Sequence, residues 1–136
     1  MPSGDTGAPG DQPSRDLTTN VEELRDVSIV HVAGEIDIST VGDLESAIER
    51  ARAHAGPGGA ASGVVVIDLR GVTFLGAEGL RSLVSAQNRI AESGGSMRVV
   101  APAGGGIIRR LLDLSGVGAL LDLFETIESA VPADRD

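Results

Sequence analysis

Val64 to Arg89 reads VVVIDLRGVTFLGAEGLRSLVSAQNR. Its first half is a continuous apolar run rich in β-branched residues. Such a run is too short to span a membrane and suits a strand buried on both faces. Its second half has a helical period, with Leu80, Leu83, Val84, Gln87, Ile90 and Ala91 on one face. Between the halves, Leu75-Gly76-Ala77-Glu78-Gly79 makes a tight turn. A strand end, a glycine-flanked loop and a helix N-terminus therefore follow one another closely, as in an α/β chain.

The flanking sequence extends this pattern in both directions. Upstream, Leu17 to Val21 and Val27 to Ala33 read as two strands with a turn near Arg25-Asp26. Gly34-Glu35-Ile36-Asp37-Ile38-Ser39-Thr40 then leads into a helix with the apolar stripe Val41, Leu44, Ala47, Ile48 and Ala51. Ser39 or Thr40 can cap that helix, and Asp43 in its first turn suits the dipole. His54 to Gly63, HAGPGGAASG, is a loop. Downstream, Ser93-Gly94-Gly95 closes the second helix. Met97 to Ala101 is a strand, Pro102 to Gly106 a loop, and Ile107 to Leu114 a helix with Gly116 past its end. Leu120 to Phe124 is a last strand, and Glu125 to Val131 a short terminal helix. Met1 to Asp16 holds Pro, Gly, Ser and Asp with little to dock, so a disordered tail is expected there. One domain is expected over 17–132.

Composition narrows the function. The 136 residues suffice for one domain with a real core. There is no cysteine, which removes disulfides and thiolate chemistry. All 11 basic residues are arginines, so neither a Schiff-base lysine nor a P-loop lysine exists. Phe74 and Phe124 are the only aromatics, too few for a base-stacking platform. A net charge of −9 opposes binding to a nucleic-acid backbone or a polybasic membrane anchor and favours a basic partner surface. The N-terminus lacks the pattern of a signal peptide, and no run approaches the roughly 18 apolar residues of a spanning helix. The chain reads as a soluble cytoplasmic protein without a cofactor.

Candidate chemistry is sparse. His31 lies in the second strand between Val30 and Val32, and His54 sits at a distant helix end, so the two form no metal cluster. His31 is expected on the less buried face of its strand. Glu35 and Asp37 share a strand face, yet no third ligand or nucleophile accompanies them. The glycines of 54–63 open no helix, and Gly104 to Gly106 lack charge partners for a phosphate. A binding protein rather than an enzyme is expected.

Three stretches carry a family resemblance. Asp68, Leu69, Gly71, Val72, Phe74, Gly79, Leu80 and Leu83 fit v-v-D-L-s-g-v-x-f-h-D-S-S/T-G-l-x-x-L, where h is apolar. Gly34 to Thr40 fits G-E-I/L-D-x-x-S/T, and IIRRLLDLSGV fits v-x-r-x-L-x-l-t-G-l. The order from about Val21 to Val131 resembles the STAS domain of bacterial anti-sigma-factor antagonists. The resemblance implies a small mixed sheet of about five strands with four helices packed against it. It implies an antagonist that binds a histidine-kinase-like anti-sigma factor and so regulates sigma-factor-dependent transcription, as a monomer or weak dimer. An alternative within the family is a STAS subunit of another assembly, such as a lipid-transport ABC system or a stress-signalling scaffold.

The departure from the family lies at the loop. Its D-S-S/T-G is here Gly76-Ala77-Glu78-Gly79, so Glu78 stands where antagonists carry the regulatory phosphoacceptor. Three readings of Glu78 remain open: a standing mimic of the phosphate, a carboxylate welcomed by a partner arginine, or a plain helix-start glutamate favoured by the dipole. The resemblance places the partner interface at Asp37, Gly76, Ala77, Glu78, Gly79, Arg81, Ser82 and Ser85. Ser82 and Ser85 are expected on the outer helix face with Glu78 and Arg89, either as a substitute acceptor or, as is usual for exposed helix serines, as plain polar surface, with Thr73 less accessible.

Overall fold

The computed structural model describes residues 16–24, 26–54, 63–104 and 106–132. The expected tail (apart from Asp16), the interior of the 54–63 loop, Arg25 and Gly105 lie outside the described residues. The strands are β1 Leu17–Glu23, β2 Val27–Ile36, β3 Val64–Leu75, β4 Ser96–Val100 and β5 Leu123–Phe124. The helices are α1 Val41–His54, α2 Ala77–Glu92, α3 Ile107–Ser115 and α4 Ile127–Ala130, with a 3-10 turn at Val117–Leu120. The five strands form one sheet in the order β1-β2-β3-β4-β5. β1 pairs antiparallel with β2, and the remaining pairs are parallel. This is the mixed five-stranded, four-helix architecture expected from the sequence.

The apolar run of β3 makes it the spine. Val65, Ile67 and Leu69 face the main core with α1, α2 and α3. Val64 and Val66 face the other side, where α4 covers them with Ala130 and Ile127. Asp68 is next on that second side, beyond the reach of this small apolar cluster. Both faces of β3 are thus covered along its first half only, where Val64 to Leu69 are all buried; beyond it only Val72 and Leu75 are.

β3 also outruns its neighbour. It pairs with β4 only over Val64 to Asp68, whereas its pairing with β2 continues to Leu75. Register shifts between His31 and Ala33, and between Gly34 and Glu35, accompany the extension. β2 likewise runs on to Ile36 rather than ending at Ala33. The carboxyl ends of β2 and β3 thus project together past the rest of the sheet. Such bulges bend a strand and re-aim its side chains.

Several expected boundaries shift. The last strand is only Leu123–Phe124, because Val117–Leu120 coils into the 3-10 turn and Leu121 is buried in the main core. The terminal helix is one turn, Ile127–Ala130, opened by a capping box between Thr126 and Ser129. Gly116 follows α3 with φ +83°, the left-handed C-cap that glycine adopts without strain.

Candidate functional site

The projecting ends of β2 and β3 meet the start of α2, and this junction gathers most of the residues singled out above. The Gly76 N–H donates to the Ile36 carbonyl at 2.9 Å, tying the start of α2 to the end of β2. Gly76 is the extended N-cap of α2 and has no side chain to cap it. Gly79, inside the first turn, is buried. A Cβ there would lie 2.5 Å from Leu75 Cδ1 and 2.6 Å from Ile36 Cγ2. Glycine at 79 is therefore what lets α2 seat directly on the strand ends.

Glu78 is the acidic residue of the first turn, favourable for the dipole. Its carboxylate accepts a hydrogen bond from Arg81 at 2.6 Å, one turn on. Both side chains are well exposed, at 40% for Glu78 and 68% for Arg81. The charge at the helix start is thus shared with a guanidinium. From Gly76 to Gly79 there is no hydroxyl.

Asp37 organises the neighbouring turn. Its Oδ1 accepts the Ser39 hydroxyl at 2.7 Å, the Ser39 N–H at 2.9 Å and the Thr40 N–H at 3.2 Å. The Ser39 hydroxyl foremost, with these backbone donors, holds the Asp37 carboxyl below the usual aspartate range. Thr40 is buried, and its hydroxyl accepts from the Asp37 N–H and donates to the Glu35 carbonyl at 2.8 Å. Ser39 and Thr40 thus brace the turn before α1. Among the described residues no group of three or more His, Asp or Glu could hold a metal ion.

The STAS domain model matches residues 18–130. The chain belongs to the STAS domain family. The anti-sigma-F factor antagonist RsfB of Mycobacterium tuberculosis is 32% identical over 119 residues, 88% of this chain and 90% of RsfB. The crystal structure of an anti-sigma factor antagonist from Mycobacterium paratuberculosis superposes with a TM-score of 0.71 at 37% identity, covering 88% of this chain and 95% of that one. SpoIIAA of Bacillus in its phosphorylated form shares the fold, with a TM-score of 0.57 at 17% identity over 83% of this chain and 96% of that one.

This STAS domain brings together Asp37, Gly76, Ala77, Glu78 and Arg81, with Ser85 one turn further along α2. It withdraws two expected interface residues. Ser82 is 6% exposed, and its hydroxyl donates to Glu45 of α1 at 2.9 Å. It belongs to the α1–α2 contact and is no outward-facing acceptor. Gly79 is buried beneath Leu75 and Ile36, so it seats the helix rather than touching a partner. Thr73, expected to be sheltered, is exposed and donates to the Gly34 carbonyl at 3.3 Å.

Leu80 and Val84 are only half-buried. They line a groove of about 690 Å³ along α2 with Ala77, Arg81, Ser85 and Val117. The sequence reading missed Phe74 and Ile38, which are 50% and 77% exposed at the same end of the STAS sheet. The Phe74 ring leans over Gly76, its Cε2 3.3 Å from where a Cβ would sit. No local signal marked Phe74, because β3 runs past the last residue paired with β4, Asp68. No helix among the described residues is long and apolar enough to cross a membrane.

Proposed function

We propose that this chain is an anti-sigma-factor antagonist that binds its anti-sigma factor at the junction of β2, β3 and α2, without a phosphate switch at Glu78. The observation that carries the reading is similarity, over 88% of the chain, to RsfB and to the Mycobacterium paratuberculosis antagonist. The junction supports a contact surface. It offers exposed Phe74 and Ile38 beside the Glu78–Arg81 pair and the Asp37 turn. An aromatic and an aliphatic anchor next to a polar pair is the usual anatomy of an interface.

The pairing supports one reading of Glu78. A phosphate would add about −1.5 to −2 charges to a hydroxyl at this position. Glu78 adds a single carboxylate, which Arg81 offsets from 2.6 Å. The pair resembles the neutral, unphosphorylated state more than the phosphorylated one. The protein is therefore a standing antagonist, active in the cytoplasm on a histidine-kinase-like anti-sigma factor.

Affinity capture from native cytosol and membrane fractions, read by mass spectrometry, tests the class. Recovery of a histidine-kinase-like anti-sigma factor supports it, and recovery of transporter ATPase and permease subunits in its place overturns it. Calorimetry with the recovered factor then tests the surface. Phe74→Ala and Glu78→Lys are each expected to weaken binding about fivefold or more. Unchanged affinity in both variants would move the interface elsewhere.

A further inference from the structure

The sheet face opposite α1, α2 and α3 is only half covered. α4 packs on Val27, Ile29, Val64, Val66 and Val100. Beyond them lies an open polar depression lined in part by Thr18, Asn20, His31, Asp68 and Arg70. Across it runs a chain of charges linking three strands. His31 Nε2 lies 2.8 Å from Glu22 Oε1 on β1, and His31 Nδ1 lies 2.8 Å from Asp68 Oδ2 on β3. Arg70 grips Asp68 from the far side, through Nε at 2.9 Å, Nη2 at 3.0 Å and its backbone N–H at 3.0 Å. Glu128 of α4 acts on Arg70 at longer range.

The geometry favours the protonated ring. A carboxylate only accepts hydrogen bonds, and a neutral imidazole has one donor nitrogen and one acceptor nitrogen. A carboxylate oxygen at 2.8 Å from each nitrogen is the arrangement that suits an imidazolium, with both nitrogens donating. We propose that protonated His31 fastens edge strand β1 to the sheet, and that loss of one ring proton releases Glu22 and loosens β1. The proton leaves Nε2 for solvent. Asp68 is 5% exposed and cannot replace its hydrogen bond with water, so Nδ1 keeps its hydrogen. Glu22, 49% exposed, exchanges the ring for water readily.

β1 is the element on which this acts. It pairs with β2 alone, and Glu22 lies near the end of that pairing, opposite Ile29. Burial lowers the affinity of the ring for its second proton, but the hydrogen bonds and charges of Glu22 and Asp68 outweigh it, so the His31 pKa is raised above 6.5. A group with a raised folded-state value contributes its full stabilisation below its unfolded value and loses it as pH rises through the folded one. The latch is therefore closed in mild acid and opens on the alkaline side.

Amide hydrogen exchange by NMR, corrected for intrinsic exchange rates, tests this on the full chain. Between about pH 6 and pH 9, protection of Thr18 to Glu23 is expected to fall about two- to fivefold, as for one partly exposed ion pair. Protection of Val64 to Asp68, set by global unfolding, is expected to fall by no more than the same factor. Glu22→Gln should flatten the β1 response and lower the pH at which the His31 ring titrates. That change removes one half-exposed charge, so the variant folds even if His31→Gln does not. The proposal is overturned by a level β1 response in the wild type, or by a Glu22→Gln variant that keeps the response.

Discussion

Gly79→Ala isolates the contact that seats α2. The added methyl would approach Leu75 Cδ1 to 2.5 Å and Ile36 Cγ2 to 2.6 Å, against roughly 3.5–4.0 Å for comfortable carbon contacts. Leu75 and Ile36 are 3% and 0% exposed, so neither can swing into solvent. Overpacking of this kind costs about 1–3 kcal/mol. Opposing it, alanine gains about 0.5–1 kcal/mol over glycine in a helix. Gly42→Ala supplies the comparison, because Gly42 is also in the first turn of a helix and nothing lies within 4 Å of its Cβ. The helix gain should appear alone there, and subtracting the two values leaves the packing cost. In urea, with a slope of about 1–3 kcal/mol per molar, Gly42→Ala should raise the midpoint and Gly79→Ala lower it. A Gly79→Ala protein as stable as Gly42→Ala would refute the argument that glycine at 79 is required by close approach.

Asp68→Asn should cost about 1–3 kcal/mol at neutral pH, the penalty for leaving buried hydrogen-bonding groups unmatched. Burial pushes the Asp68 pKa up, but the Arg70 side chain and N–H and the His31 ring outweigh it and hold it below 3.8. The stability gap between wild type and variant should thus be full above that value and close as pH falls through the lowered one, which urea titrations over an acid series would read. Glu78→Ser should take up no phosphate from a cognate kinase while Gly76 remains, and stoichiometric incorporation seen by intact-mass spectrometry would contradict this. Ser82→Ala should lose about 0.5–1.5 kcal/mol from its bond to Glu45 and leave partner affinity unchanged. A loss of affinity without a loss of stability would place Ser82 at the interface after all.

The order of elements was legible because β3 announces itself as an apolar β-branched run followed at once by a helical period. The face of α2 was legible only in part. Helical spacing puts Leu80, Leu83, Val84, Gln87, Ile90 and Ala91 on one face; Leu83 and Ile90 are buried and Leu80 and Val84 pack on the core, but the buried set also takes in Gly79, Ser82 and Ala86. Small residues turn toward the sheet and α1 because they allow close approach, and a scale that rewards size overlooks them. The same effect withdrew Ser82 from the surface. Phe74 failed in the opposite sense, since exposure there depends on where β4 stops rather than on any property of the Phe74 neighbourhood in sequence. The Asp37 turn was anticipated as a surface element, but the role of Thr40 in bracing it required coordinates. His31 was read as a strand histidine on the less buried face, and it is half-buried there. Its partners on β1 and β3 depend on strand register, which one sequence does not reveal.

The order of strands across the sheet is also their order along the chain. Each new strand therefore docks on the one made just before it, and no strand has to be inserted between two already paired. A chain synthesised from its N-terminus can lay down β1 and β2 as a hairpin and then add β3, β4 and β5 in turn, with each intervening helix arriving before the strand that follows it. Only one growing edge is exposed at a time, and β5, which closes that edge, is two residues long. Assembly can thus keep pace with translation, and the two-residue β5 leaves only a short edge strand of its own.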